Sequence, residues 1–360
     1  MAVQIYMVGT YPYETAEEAL ECQQRIDTDN QWLWAFGGGE TGAPNWLVGV
    51  THRIAKMLGI PFTAKFTGLE YSHFGARFVL GMIYKFRVNR RLRQHGVPKL
   101  GYAETARREY AIVAASVTGR RFMVGLPTAW ALMIMSGVSG SRNLRMFEDE
   151  LAREINEILE IDPSIVIQWE MPIELALASL PTMPTFLRQR WLRLMMSSLD
   201  RTMSKVERKA SWTIHLCNGD LKNQPVLWQS RQLPKLNVKF MNALTALRVW
   251  RQGHILLGIH EPHSRALSDQ DLQVYRQLQR RPRMYSWGAL MPQASPEQIA
   301  RELRTMQDIL QGVPAMDGTD ELDLTVSPRC GLGRTPHEDV RQVLKVHTDV
   351  NDILDSTEER

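Results

Sequence analysis

The sequence predicts an α/β protein, a single (β/α)8 TIM barrel with helical insertions over residues 1–354 and a frayed polar tail at 355–360. Strand-like apolar runs alternate with amphipathic helical segments, which is the pattern of parallel βαβ units. The chain has 360 residues, a length that suits one barrel of about 250 residues with insertions. Because no glycine-rich phosphate loop is recognised, a closed barrel is favoured over a doubly wound sheet.

The elements follow one another along the chain in the order that a barrel requires. Strands are predicted at 3–8, 121–126, 165–169, 213–217, 254–259, 283–290 and 322–326. Helices are predicted at 15–27, 102–116, 146–158, 185–210, 269–280 and 296–311. Ser295 before Pro296 and an acidic residue has the form of a helix N-cap, and Thr335 before Pro336 repeats it. A loop and a helix are expected within 222–250.

Charge and cysteine content limit the classes of function. The net charge of +4 comes from 43 basic and 39 acidic residues, so no nucleic-acid partner is expected, and the basic run 85–93 is interpreted as a solvated helix face. Three cysteines in this length indicate a reducing compartment. The start of the chain lacks the pattern of a signal peptide and no apolar run is long enough to span a membrane. We therefore expect a cytoplasmic protein with no membrane partner.

Two cysteines and a histidine stand at the ends of strand-like runs. His215 and Cys217 form an HxC pair at the end of one run, and Cys330 follows another, 113 positions later. Strand ends that are distant in sequence converge on one face of a parallel barrel. Two thiolates and an imidazole are ligands that zinc prefers. The alternative is that both cysteines only fill space in the core.

Five segments resemble cobalamin-independent methionine synthase, within the superfamily that includes uroporphyrinogen decarboxylase. They are MVGTYP at 7–12, IQWEMP at 167–172, IHLC at 214–217, GIHEPHS at 258–264 and VSPRCGL at 326–332. The length is similar to that of the short, single-barrel members. The resemblance implies a zinc-dependent methyl- or alkyltransferase that activates a thiol acceptor as a zinc thiolate. The acceptor would be homocysteine-like or another small thiol, and the donor a folate, a corrinoid protein or another methyl or alkyl donor.

The resemblance also implies roles for individual residues. His215, Cys217, Cys330 and Glu261 match the zinc ligands, with Glu261 as the labile fourth. The residues that match substrate-binding positions are Gly9 and Thr10 in the first-strand loop, and Glu40 and Glu170, the acids that would hold the substrate amine. Trp130 falls near the position where the synthases stack a pterin ring, with a core tryptophan as the alternative. His263 is interpreted either as a residue that orients a ligand or as part of a surface loop.

The sequence departs from the family pattern in two places. Glu170 stands where the family usually has aspartate, and 287–292 (WGALMP) lacks the family's strand-end histidine. Two further functions therefore stay open. One is a metal-free decarboxylase-like or lyase-like activity on the same barrel, and the other is a non-catalytic barrel with a structural zinc.

Overall fold

The structure is a computed structural model, and it describes residues 3–9, 15, 17–21, 34–36, 54, 56, 86–116, 122–180, 183–217, 233–263, 266–332 and 335–356. Its strands are β1 (Gln4–Ile5), β2 (Trp34–Phe36), β3 (Phe122–Pro127), β4 (Val166–Glu170), β5 (Ser211–His215), β6 (Ile255–Pro262), β7 (Met284–Leu290) and β8 (Asp323–Pro328). Its helices are α1 (Tyr102–Ser116), α2 (Ala129–Met135), α3 (Ser141–Ile161), α4 (Pro172–Ala178), α5 (Thr185–Ser204), α6 (Leu233–Thr245), α7 (Asp269–Gln273), α8 (Pro296–Gln311) and α9 (His337–Asp355). Two 3-10 helices span Arg248–Gln252 and Val274–Gln277.

The eight described strands form one parallel sheet in the order β1-β8-β7-β6-β5-β4-β3-β2. The first two strands of the chain thus occupy the two edges. Within the described residues, β1 and β2 are not paired with each other. The structure therefore shows a parallel α/β sheet whose closure into a complete barrel is not among its described pairings.

The sheet curves strongly, because side chains from distant strands meet on one face. The Tyr6 hydroxyl, next to β1, donates to Gln168 Oε1 on β4 at 2.5 Å. In a flat sheet, β1 and β4 would be about 24 Å apart, since neighbouring strands are spaced by about 4.8 Å. This concave side, which we call the inner face, carries the hydrophobic cluster of Tyr6, Val8, Met123, Val166, Leu257 and Met284.

The opposite side of the sheet, the outer face, packs against the helices. Side chains alternate along a strand, so Trp169 and Trp212 face outwards, where their rings stack at 5.6 Å with 5° between the planes. They belong to the large hydrophobic core that includes residues of the helices. On the inner face, polar residues therefore lie at the carboxyl ends of the strands, beyond the hydrophobic cluster.

The predicted elements agree with the structure where the hydrophobic pattern is long. α1 and α8 have the predicted bounds, and 146–158 lies inside α3. In contrast, 185–210 ends early at Ser204, since the chain must turn back to enter β5, and 269–280 divides into α7 and a 3-10 helix. The short elements β2, α2 and α4 were not predicted from the pattern. Of the predicted helix 15–27, residues 17–21 are described and helical.

The basic run is a solvated helix face, as predicted. Residues 86–95 are helical, and Val88 and Leu92 are buried while Arg87 and Arg91 are exposed. Apolar residues four positions apart lie on one face of a helix. Among the described residues, no helix is both long enough and apolar enough to cross a membrane.

The two predicted helix starts differ in outcome. The Ser295 side chain accepts a hydrogen bond from the Gln298 N–H at 3.2 Å, with Pro296 as the first helical residue. The other helix, α9, begins one residue later than predicted, at His337, and Pro336 occupies the cap position without a side-chain hydrogen bond. Proline has no side-chain acceptor with which to cap the first turn.

The cap of α8 gives a test of the fold. We expect Ser295→Ala to lower the free energy of unfolding by about 1 kcal/mol, because the Gln298 N–H loses its acceptor. Urea denaturation measures the change. Ser295→Asp, which retains an acceptor, is the control and should stay within a few tenths of a kcal/mol of the wild type. An equal loss in both variants would contradict the role of the cap.

Candidate metal centre

Three potential metal ligands meet at the carboxyl ends of two strands. His215 is the last residue of β5 and Cys217 follows two positions later, while Cys330 lies just beyond β8. The two Sγ atoms are 3.3 Å apart, and Cys330 Sγ lies 3.9 Å from His215 Nε2. All three ligand atoms lie within 4.8 Å of one another. The predicted convergence of His215, Cys217 and Cys330 is therefore present in the structure.

The spacing of these atoms fits a zinc ion. Zinc bonds of about 2.3 Å to sulfur and about 2.0 Å to nitrogen, at tetrahedral angles, separate two ligand atoms by about 3.5 to 3.8 Å. The observed separations of 3.3 and 3.9 Å are on either side of that range. Both cysteines are free of disulfide bonds. The group can thus hold a tetrahedral metal with small adjustments of the side chains.

Glu170, the last residue of β4, contacts the His215 ring at Nδ1, the nitrogen that is not directed at the cysteines. Its Oε2 lies 2.6 Å from His215 Nδ1, and its Oε1 accepts a hydrogen bond from Gln168 Nε2 at 2.6 Å. Gln168 also donates to the Val8 carbonyl at 2.7 Å. A carboxylate on the far nitrogen of a histidine is typical of metal sites, because it fixes the ring and its tautomer. Both carboxylate oxygens are engaged by protein, and the prediction of Glu170 as an amine-binding residue stays a prediction.

The electrostatic environment favours positive charge at this point. Burial lowers the pKa of His215, but the negative charges of Glu170 and Cys217 outweigh it and raise the pKa to about 10. His215 is only 2% exposed. Glu170 and Cys217, whose negative charges stabilise the protonated His215 ring, would also stabilise a divalent cation that replaces the proton on this ring.

Glu261, predicted as the fourth ligand, points away from this cluster. Its Oε1 accepts hydrogen bonds from Asn237 and Tyr275, and its Oε2 accepts one from Tyr285. Burial raises the pKa of the Glu261 carboxyl to about 7, against the opposing effect of these donors. The side chain lies on the outer face of β6, because His260 next to it faces inwards. In this structure the Glu261 carboxylate therefore lies apart from the three ligand atoms, and its role as a ligand stays a prediction.

Two further predicted residues lie on the outer face. His263 is buried and stacks on Trp287 with ring centroids 3.8 Å apart, and its Nε2 lies 3.9 Å from Glu261 Oε1. It is thus buried rather than part of an exposed loop, and its role in orienting a ligand stays a prediction. Trp130 packs edge-to-face on Trp191 at 4.7 Å and lines a small cavity with Trp169. The core interpretation of Trp130 is the one that these contacts support.

The remaining predicted substrate residues are only partly covered by the structure. Gly9 directly follows Val8, whose carbonyl accepts the hydrogen bond from Gln168. Thr10 and Glu40 lie outside the described residues, as does the tail at 357–360.

His260 and Gln168 are site residues that the motifs did not identify. His260 is fully buried on the inner face of β6, and its ring centroid lies 4.5 Å from that of His215. Burial holds the pKa of His260 well below its usual range, and His215 and His263 add to this effect while the Pro328 backbone opposes it. The alternation of side chains along β6 could have indicated His260.

A second buried acid lies on the outer face, in the cavity beside Trp130. Thr128 caps α2 and donates a hydrogen bond to Glu174 Oε1, and burial raises the pKa of Glu174 to about 7 despite that bond. The folded state thus binds this proton more tightly than the unfolded state. The resulting stability is fully present below pH 4.5 or so and is lost as the pH rises through about 7.

The pH dependence of stability tests the state of Glu174. We expect Glu174→Gln to gain stability relative to the wild type when the pH is raised from 5 to 8, because the amide cannot ionise. Urea denaturation at both pH values measures this gain. Glu160→Gln, at an exposed position of α3, is the control and should keep the wild-type pH dependence. Parallel curves for Glu174→Gln and the wild type would contradict the assignment.

Comparisons with known proteins identify structural neighbours but no sequence relatives. No protein-family model matches the chain, and no curated protein matches it. A B12-independent methionine synthase from a Shewanella species, solved with selenomethionine, has a TM-score of 0.46 and 14% identity over 71% of this chain and 67% of its own. A putative vitamin-B12-independent methionine synthase from Listeria monocytogenes has a TM-score of 0.46 and 11% identity over 98% and 99%.

One neighbour is thus described as a B12-independent methionine synthase and the other as a putative one. Because these TM-scores and identities are low, we derive the function below from the residues of this chain. What the fold and the site define is a parallel α/β protein with a His/Cys/Cys group able to hold a metal.

Proposed function

We propose that this protein is a zinc-dependent methyl- or alkyltransferase whose acceptor is a thiol. The observation that carries the proposal is the cluster of His215 Nε2, Cys217 Sγ and Cys330 Sγ, supported by Glu170 behind the His215 ring. Three protein ligands leave one position of a tetrahedral zinc for a substrate, which is the arrangement of a catalytic zinc.

The chemistry follows from the charge and burial of these residues. Zinc, when bound, supplies the means to hold a thiol as its thiolate, the nucleophilic form, at neutral pH. Cys217 and Cys330 contribute two negative charges that keep the acceptor sulfur electron-rich. Glu170 orients His215 so that Nε2 faces the two sulfur atoms. Burial of His215 and Cys217 keeps water away from the acceptor sulfur.

The acceptor that we propose is a homocysteine-like or other small thiol, and the donor is a folate, a corrinoid protein or another methyl or alkyl donor. On the strength of the motif resemblance, Gly9, Thr10 and Glu40 remain the proposed substrate-binding residues. We assign Glu170 to the support of His215 rather than to the substrate amine, because of its contacts.

The proposal includes a closed (β/α)8 barrel in one catalytic domain over residues 1–354, in the cytoplasm. Two observations support closure: β1 and β2 are the free edges of the described sheet, and the sheet curves until Tyr6 contacts Gln168. Closure would also explain why residues from β5 and β8, with two strands between them, bring their sulfur atoms within 3.3 Å.

A second candidate is a non-catalytic barrel with a structural zinc. The observation that favours it is the buried imidazole of His260 beside the cluster, since a fourth protein ligand is typical of structural zinc sites. The metal-free decarboxylase-like or lyase-like activity has no such support, because it leaves the ligand cluster without a role.

Thiol binding to the cobalt-substituted protein separates the two candidates. Cobalt in the zinc site has a sulfur-to-metal charge-transfer band whose intensity follows the number of thiolates. We expect one small thiol from a panel of homocysteine, cysteine and coenzyme M to increase that band by about half, as the thiolates rise from two to three. The matching alcohol or thioether is the control and should leave the band unchanged. A spectrum that no thiol alters would favour the structural zinc.

A further inference from the structure

His260 is a polar side chain that the described contacts leave unsatisfied. It is 0% exposed, and neither of its ring nitrogens makes a hydrogen bond of normal geometry in the part of the chain that the structure describes. An unsatisfied buried polar group costs about 1–3 kcal/mol, so native structures rarely retain one without a reason. The Pro328 backbone acts on the ring without forming a hydrogen bond of normal geometry, so the ring has capacity for a further partner.

The position of the ring indicates what this partner is. His260 is the direct register partner of His215, and the two ring centroids are 4.5 Å apart at 48°. Its strand also ends on the side of the sheet to which β5 and β8 bring the two cysteines. The imidazole thus lies beside the His215 ring, next to the group of three ligand atoms but outside the 4.8 Å within which those three atoms lie of one another.

The neighbouring strand leaves room for the ring at this place. A Cβ atom built on Gly288 of β7 would lie 2.6 Å from His260 Nε2 and 2.7 Å from the Pro262 Cα. Both contacts are too short for real atoms, so any larger residue would displace the imidazole or the β6 backbone. A glycine at position 288 is what allows the His260 ring to lie where it does.

We propose that His260 is the fourth protein ligand of the metal when no acceptor is bound, and that Glu261 is not a ligand. The proposal rests on the zinc site proposed above. An imidazole is a common zinc ligand. The complete set would be two thiolates and two imidazoles, and the zinc ion together with these four ligands would carry no net charge. The Glu261 carboxylate already has Asn237, Tyr275 and Tyr285 as partners on the outer face.

X-ray absorption at the zinc edge tests this proposal on the whole protein without added thiol. Imidazole rings give a characteristic multiple-scattering signal, from which their number is counted. We expect two imidazoles and two sulfurs in the wild type, one imidazole in His260→Ala, and two in the control Glu261→Gln. Competition with a chelator should show that His260→Ala lowers the zinc affinity by more than about tenfold. This is more than the smallest loss that follows when a residue hydrogen-bonded to a metal ligand is removed.

The outcomes separate this proposal from the proposed function. A single imidazole in the wild type would overturn the role of His260, even if His260→Ala failed to fold, because that count needs no variant. Loss of one ligand in Glu261→Gln, with His260→Ala unchanged, would restore Glu261 as the ligand. Absence of any zinc in the wild type would instead refute the metal site as a whole.

Discussion

Cys330→Ser should lose its zinc, whereas the wild-type protein should keep about one zinc ion per chain through prolonged dialysis. Cys330 supplies one of the two sulfur atoms, 3.3 Å from the other. A serine hydroxyl is a poor replacement for a thiolate. The zinc affinity should therefore fall by more than the 10- to 100-fold or so that follows when a residue hydrogen-bonded to a metal ligand is removed. Elemental analysis after dialysis against a weak chelator measures the difference.

The third cysteine of the chain provides the matched control for this experiment. Cys22→Ser makes the same chemical change at a position outside the ligand set, and its zinc content should equal that of the wild type. Equal zinc in Cys330→Ser and the wild type would refute the site. Loss of zinc in Cys22→Ser and in Cys330→Ser alike would mean that the loss is not specific to the proposed ligands.

Glu170→Gln should lower the zinc affinity by about 10- to 100-fold while leaving the zinc stoichiometry at saturation unchanged. The amide keeps an acceptor for His215 Nδ1 but removes the negative charge that lies 2.6 Å from it. Competition with a chromophoric chelator gives the affinity. Glu174→Gln, four residues further along the chain and more deeply buried, is the control and should retain wild-type affinity.

The same variant decides between two roles for Glu170. If its carboxylate holds the amine of an acceptor, as the motif resemblance implies, Glu170→Gln should retain its zinc affinity. In that case it would lose affinity for an amino-thiol far more than for a thiol without an amine. If it orients His215, as its contacts indicate, zinc affinity should fall, and the binding of both thiols should weaken in parallel.

The metal cluster could be predicted from the sequence because its residues stand at the ends of parallel strands. The HxC spacing places His215 and Cys217 on the same side of an extended chain, and Cys330 follows the strand that the topology carries round to meet them. Apolar runs locate the ends of strands to within a residue or two, and this precision is enough to predict that the three residues meet. The cluster therefore did not depend on the exact pairing of the strands.

The prediction of Glu261 as the fourth ligand depends on the register of β6, which the sequence does not reveal. The pairing of β5 with β6 shifts between Trp212 and Thr213, where Leu257 forms a bulge opposite them. A shift of one residue exchanges the two faces of a strand. In the observed register His260 is opposite His215 and faces inwards, so Glu261 faces the helices. The role of Glu170 was missed for a similar reason, because its pairing with His215 is a contact between strands.

The same register shows what lies opposite β6 where 287–292 lacks the family's strand-end histidine. On β7 the inner face carries Ser286 and Gly288, opposite His260 and Pro262 of β6. The imidazole beside the cluster is thus supplied by β6, while β7 provides the space for it. This arrangement distinguishes the site from the pattern that the motif resemblance implied.

The number of sulfur atoms bound to zinc, with and without a thiol, tests the central claim most directly. We predict that X-ray absorption of the zinc-loaded protein will show two sulfurs, from Cys217 and Cys330, and three when a small thiol acceptor is added. Cys217→Ser should lose its zinc, as Cys330→Ser does, and should therefore give no zinc–sulfur signal. Two sulfurs both with and without every thiol tested would contradict the claim that this metal site activates a thiol.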